Sequence, residues 1–434
     1  MTADVGIHKL IQEEDAKLSA EAAAKNGRAA AMAGAEFSAL GDDRYRLSLP
    51  AIGVTFAVDR LRREYHELQG ELSVRCDLPG ASPVGNDKNL SIADFNFSSA
   101  RARQDRAKLL AGRANTGNHL DWFALVEEFS QKVLEADRTG QPAQDLRTFE
   151  EPAPDDDFEV EGLQLLKDHP VILFGDGGAA KSYLALYLAG RLAERGLRVG
   201  VFDWELSGPD HKVRLRKLFP DGMPLIFYVR CTRPLTYEAD RLKRIVRENR
   251  LDYCVFDSVA YAVDGPPESA EIAARYFRSV RGIGGGGIHV AHISKAEGAD
   301  QKPFGSAFWH NSARATWFAA KAEETPDGSI LRLGLFQRKN NLGRLRPPIA
   351  FTITFEENRT TFRRSDVADN PDLAAQMSIR QRMAAVLRKG AMAPEEIALE
   401  LEAKPETVNR TARRYKNLFV LLPGGKWGLL ERMT

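Results

Sequence analysis

Cysteine is scarce. The 434 residues contain three, Cys76, Cys231 and Cys254, far apart and without paired metal-ligand spacing. That excludes a disulfide framework and fits a reduced compartment. An excess of one charge is missing too: 61 Lys and Arg stand against 60 Asp and Glu, a formal net charge of +1. Such a balance neither demands nor excludes a polyanionic partner, so local patches must decide. No apolar run approaches the roughly 18 residues a membrane span needs, and no membrane partner is expected. The start of the chain lacks the basic-then-apolar pattern of a signal peptide, so a cytoplasmic protein is expected. No internal repeat is visible. What remains is an ordinary globular balance, 43% hydrophobic and 28% charged, with a length that fits two to three domains of roughly 100–200 residues.

Patterning divides the chain. Residues 1–40 are Ala-rich and read as a helical or flexible segment. Residues 41–140 carry strand-like text (YRLSL, GVTFAV, GELSVRC), then apolar residues at one-face helical spacing from Trp122 to Val133. This predicts an α+β domain of unassigned role. The Pro- and Asp-rich residues 141–157 read as a linker. From 158 to 363 strands and helices alternate, which predicts an α/β fold: a mostly parallel sheet with helices on both faces, extended by antiparallel strands. Residues 364–377 read as a second linker. Residues 378–434 read as three helices and a hairpin turning at Gly424-Gly425, the order of a winged helix-turn-helix.

Chemistry concentrates where the strand VILF runs into Gly175-Asp176-Gly177-Gly178-Ala179-Ala180-Lys181-Ser182 and an apolar-periodic helix that begins with Tyr183. Strand, Gly-rich turn and helix are the context of a phosphate-binding loop. Backbone N–H groups and the helix N-terminus face the phosphates of ATP, Lys181 reaches the β- and γ-phosphates, and Ser182 ligates Mg²⁺. Gly175, Gly177, Gly178, Ala179, Ala180 and Tyr183 complete the loop. Ala180 departs from the pattern, which has glycine before the lysine, and its methyl group is strained wherever φ must be positive. The next strand ends in FDWE, placing Glu205 beside Asp203 at a C-terminal strand end, suited to orient a water on the γ-phosphate. The strand YCVFD places Asp257 at another such end, 76 residues after Lys181, as a second Mg²⁺-holding group. His292 closes the strand GIHVAH as a γ-phosphate sensor; a satisfied histidine at a strand end is an equal reading.

GDGGAAKS, FDWE, YCVFDS, HISK and PFGSAFWHNSARATWF, within about residues 158–356, resemble the RecA-like ATPases, and among them the plasmid RepA-type hexameric replicative helicases. The resemblance implies an ATP- and Mg²⁺-dependent motor on single-stranded DNA, assembled as a homo-oligomeric ring or filament. It implies that Glu205 is the catalytic carboxylate. It also implies that the loop after His292, with Lys295, Lys302, Phe304, Phe308 and Trp309, touches the strand. The three rings read equally as anchors to the domain core. A cation reaching a neighbouring subunit is sought at Arg314 or Lys339. Where the helicase pattern has Lys-x-Arg this chain has Lys339-Asn340-Asn341, so Arg338 and Arg344 are further candidates.

Residues 378–434 hold 11 Lys and Arg against 6 Asp and Glu, a surplus of 5. Arg410, Arg413 and Arg414, on or near the outward face of the last helix, are candidate contacts to duplex DNA, with a protein partner as the alternative. Three functions therefore stand open: a helicase, a RecA- or KaiC-like ATPase switch, and a DNA-binding initiator or regulator.

Overall fold

The computed structural model describes all residues except 1–29, 42, 79, 83–87, 115–119, 141–142, 152–156, 293–304 and 431–434. The chain divides into two compact units, Met1–Glu150 and Glu151–Thr434.

In the first unit β1 (Glu36–Ala39), β2 (Tyr45–Leu49), β3 (Val54–Glu64), β4 (Glu67–Cys76) and β5 (Asn89–Asn96) form an antiparallel meander in sequence order. β4 alternates buried and partly exposed residues, as a sheet with one covered face requires. Helices α1 (Ala100–Ala114) and α2 (Trp122–Thr139) supply the cover. Phe129 of α2 stacks on Phe56 of β3 at 5.5 Å, and Asp121 caps α2 by accepting from the Ala124 amide. β1 lies within the segment expected to be helical or flexible, so this sheet begins before residue 41.

The second unit opens with a small hairpin, β6 (Phe158–Val160) and β7 (Leu163–Leu165), then alternates. β8 (Pro170–Gly175), α3 (Lys181–Glu194), β9 (Val199–Asp203), α4 (Gly208–Leu218), β10 (Ile226–Arg230) and α5 (Leu235–Asn249) follow in turn. After them come β11 (Tyr253–Asp257), α6 (Val259–Ala262), α7 (Ala270–Ile283), β12 (Gly286–His292), α8 (Ala307–Ser312), β13 (Ala315–Glu324), β14 (Ile330–Asn340), β15 (Ile349–Phe355) and β16 (Thr360–Ser365). The nine strands stand in the order β10-β9-β11-β12-β8-β13-β14-β15-β16. From β10 to β13 all neighbours are parallel; β14 to β16 add on antiparallel. The expected α/β sheet, parallel and then antiparallel, is the one observed. α4, β5, β16 and α1 carry weaker patterns and were not expected.

β8, β9 and β11 are buried along their whole length, because helices cover both faces of a parallel sheet. β12 separates β8 from β11, so the loops after β8, β9, β11 and β12 open on one edge of the sheet. Gly175 is forced by packing: a Cβ there would stand 2.2 Å from the Ala319 carbonyl oxygen of β13.

Residues 364–377 are not a loose connection. β16 runs to Ser365, and α9 (Pro371–Ala375) follows, capped by Asn370. Val367 and Leu373 are buried in the core that covers the α5/α7 face of the sheet. The polar composition hid these two anchors. Beyond them α10 (Ile379–Leu387), α11 (Pro394–Glu400), α12 (Pro405–Arg414) and the hairpin β17 (Phe419–Leu421) to β18 (Trp427–Leu429) enclose a core of their own around Met383, Ile397, Val408 and Trp427. Gly424 and Gly425, both with positive φ, make the hairpin turn.

Candidate functional site

The four loop ends converge on a cleft of 440 Å³ lined by Gly177–Tyr183, Glu205, Asp257, Ser258 and His292. Lys181 and Ser182 open α3 directly after the loop, and no side chain caps that helix. Its first N–H groups therefore face the cleft without an intrahelical partner, an arrangement suited to an anion. Gly178 has φ +75° and Ala180 φ +49°, so the position that departs from the pattern does take the left-handed conformation. A Cβ in that region costs about 1–2 kcal/mol. Lys181 is buried, and its ammonium donates to the carbonyls of Gly175 (2.9 Å) and Asp176 (2.6 Å). Burial lowers its pKa, opposed by the charges of Asp257, Asp176 and Glu205.

Glu205 is exposed at the cleft, and Ser258 donates its hydroxyl to the Glu205 carboxylate. Asp203 does not line the cleft. It is fully buried beneath the turn and accepts from the Glu205 and Leu206 amides, both at 2.6 Å. Its second oxygen meets His211 Nε2, and the Arg230 guanidinium stands 3.3 Å from the first. Asp203 therefore fixes the turn that presents Glu205 and is a positioning residue.

Asp257 is buried, and desolvation pushes its carboxyl up to about 6, with Asp203 and Glu205 adding to the rise and Ser182 opposing it. Asp257 Oδ1 has no hydrogen-bond partner among the described residues. An orphaned carboxylate oxygen, facing a serine hydroxyl beside an anion-binding loop, fits a hard divalent cation such as Mg²⁺. Ser182 and Asp257 would hold it. Asp257 and Ser258 are joined by a cis peptide bond.

His292 sits exposed at the end of β12 and lines the cleft. Its pKa is lowered by partial desolvation and by Lys181, so it is neutral at pH 7. The buried histidine of the same strand is His289, stacked on Phe256 at 4.4 Å and bonded to the Tyr276 hydroxyl at 2.8 Å. Burial drives His289 down to about 3, which makes it a neutral core residue.

Leu206, Arg214, Val290, Gly328, Leu331 and Phe355 also line the cleft and were not expected. The Arg214 guanidinium lies 4.6 Å from the Tyr183 ring centre, and Tyr183 meets Phe355 edge-on at 5.5 Å. Phe355 ends an antiparallel strand far along the chain, and only the sheet order brings it here.

The other expected site residues stand elsewhere. Lys295, Lys302 and Phe304 lie outside the described residues. Trp309 is buried and donates its indole N–H to Pro267 (2.7 Å), so of the two readings it is an anchor, whereas Phe308 is exposed. Arg314 and Lys339 flank the start of β13. Ala315 is level with Val171 at the start of β8, and Ala319 with Gly175 at its end. Both cations thus stand at the sheet edge opposite the cleft, about four strand residues or roughly 13 Å away. Lys339 donates to the carbonyls of His310 (2.9 Å), Asn311 (2.8 Å) and Ala313 (2.8 Å), closing the C-terminus of α8. Arg410, Arg413 and Arg414 are all exposed on α12, and Arg410 and Arg414 also line a cleft shared with β14.

No family model and no curated protein matches the chain. Among solved structures it is similar to a KaiC-like protein from the hyperthermophilic archaeon Pyrococcus horikoshii OT3. That match has 17% identity, covers 49% of this chain and 95% of that one, and has a TM-score of 0.37. It is also similar to the ATPase domain of G40-P, at 12% identity, over 46% of this chain and 85% of that one, with a TM-score of 0.37.

Proposed function

We propose that this chain is a RecA-like ATPase that binds ATP with Mg²⁺ and hydrolyses it to drive movement on DNA, in the manner of a replicative helicase. The observation that carries the ATPase reading is a convergence. An uncapped helix start with Lys181 and Ser182, a buried acid with an unpartnered oxygen (Asp257) and an exposed, oriented carboxylate (Glu205) meet in one cleft. The loop and Lys181 take the phosphates. Ser182 and Asp257 would hold Mg²⁺, which would supply charge neutralisation at the phosphates. Glu205 accepts a proton from the attacking water, its aim kept by Ser258 and by the Asp203-supported turn. Arg214, Tyr183 and Phe355 offer a flat cationic and aromatic corner for the base. Neutral His292, which lines the cleft, is placed to sense the γ-phosphate.

The strand order, with one strand between β8, which leads to Lys181, and β11, which ends at Asp257, and the carboxylate after β9, supports the RecA-like assignment. Arg314, at the opposite sheet edge, supports a site completed by a neighbouring copy in a ring or filament. The DNA-motor reading rests on the sequence resemblance.

Steady-state ATP hydrolysis with and without single-stranded DNA tests both levels. Lys181→Ala is expected to abolish turnover. Glu205→Gln is expected to slow it 10²–10⁴-fold while nucleotide binding persists, the usual yield of a positioned base. Wild-type turnover in Glu205→Gln would remove the proposed base. Hydrolysis indifferent to DNA would leave an ATPase and discard the motor.

A further inference from the structure

We propose that the cleft between β14 and the C-terminal helices binds the phosphodiester backbone of a single nucleic-acid strand. The proposal shares with the DNA-motor reading only the class of partner.

The cleft measures 760 Å³ and brings together four arginines from three elements: Arg338 of β14, Arg380 of α10, and Arg410 and Arg414 of α12. Arg380, Arg410 and Arg414 make no ion pair with a carboxylate among the described residues. Tyr415 holds two of these guanidinium groups over its ring, Arg380 at 4.9 Å and Arg414 at 5.6 Å. Arg338 reaches the site through a break in register: Thr316 pairs with Lys339 and Trp317 with Gln337, which leaves Arg338 as the extra residue of a β-bulge. Bulges re-aim side chains in this way.

A second observation points to a ligand. Gln337 lines the same cleft and is 7% exposed. Its oxygen accepts from the Arg346 amide at 2.7 Å, but its Nε2 has no partner among the described residues. A buried amide donor without an acceptor is costly, and a small shift of this side chain toward an anionic oxygen in the cleft would satisfy it. Four guanidinium groups, two of them over the Tyr415 ring, with no carboxylate paired to three of the four among the described residues, suit phosphate oxygens.

The arrangement of the arginines favours a strand. A duplex in its major groove would be met by the exposed face of α12 alone, through Arg410, Arg413 and Arg414. The arginines of the cleft come instead from β14, α10 and α12 around one groove, where an extended backbone can meet all four.

The test is fluorescence anisotropy of a labelled oligodeoxythymidine strand on the full chain, without nucleotide, from 50 to 200 mM salt. Because no ATP is present, the result is independent of hydrolysis: a chain that never turns over can still bind. Each phosphate contact on a single strand contributes about −0.7 to the slope of log K against log salt. Arg410→Ala/Arg414→Ala should therefore flatten the slope by about 1.4, whereas Arg413→Ala, outside the cleft, should leave it unchanged. Arg380→Glu places an acid in the first turn of α10, which a helix tolerates, and should weaken binding further. Its thermal midpoint separates lost binding from lost fold. An unchanged slope in the double variant would overturn the proposal, as would an equal loss in Arg413→Ala. So would a double variant that loses a duplex of the same length but keeps the strand. Inorganic pyrophosphate that binds the wild type but not the double variant, with strand affinity equal in both, would mark a small-anion site and also overturn it.

Discussion

Ala180 holds φ at +49° with a methyl group that disfavours that region. Glycine removes the clash but adds freedom to the unfolded chain, which costs about 0.4–1 kcal/mol. The balance favours Ala180→Gly by about 0.5–1 kcal/mol, read as a rise of about 1–2 degrees in thermal midpoint with tighter nucleotide binding. A lower midpoint would mean that the loop relaxes around the alanine. Asp257 sets a pH dependence. Its carboxyl titrates at about 6 in the fold, against an ordinary 3.8, because burial penalises the charge. Between those values the folded chain holds a proton the unfolded chain has lost, so stability falls as pH rises from about 4 to 6. In chelator, the fall between pH 4 and 6 should be shallower in Asp257→Asn than in wild type. Equal slopes would show that Asp257 does not carry the effect.

At the scale of elements, α8 is a six-residue helix held at both ends. Ser306 caps its start, and Lys339, from β14, satisfies three carbonyls at its end. Burial and the charge of Arg314 lower the Lys339 pKa, yet the three acceptors keep its ammonium in place. Lys339→Met keeps the stem and removes the donors. It should cost about 1–2 kcal/mol, typical of lost charge-assisted bonds, and speed amide exchange across 307–313. Exchange unchanged there would show that α8 is held by Trp309 alone. A helix this short has little intrinsic stability, so its position depends on its neighbours.

At the scale of the whole molecule, a cation at one sheet edge and a phosphate loop at the other can share a site only between copies of the chain. Arg314→Ala and Lys181→Ala should each be inactive alone. Mixed, they should recover part of the wild-type turnover, because some interfaces pair an intact Lys181 with an intact Arg314. No recovery in mixtures shown to co-assemble would remove Arg314 from the neighbouring site.

The sequence alone determined the parallel core and the parts of the cleft that are local in chain: strands of continuous apolar text, the glycine turn before Lys181, and acids at strand ends. Each of these is set by a few adjacent residues whose period and backbone freedom are written in the text itself. Tertiary structure decided what lies far apart in sequence. It turned Asp203 inward as a support, because its oxygens found two amides, His211 and Arg230. It brought Arg214 and Phe355 to the cleft, buried Val367 and Leu373 where composition suggested a linker, and tied Lys339 to α8. It also brought Arg410 and Arg414 to a cleft shared with β14. Those outcomes depend on which strand neighbours which, and strand order leaves no periodic mark in a sequence.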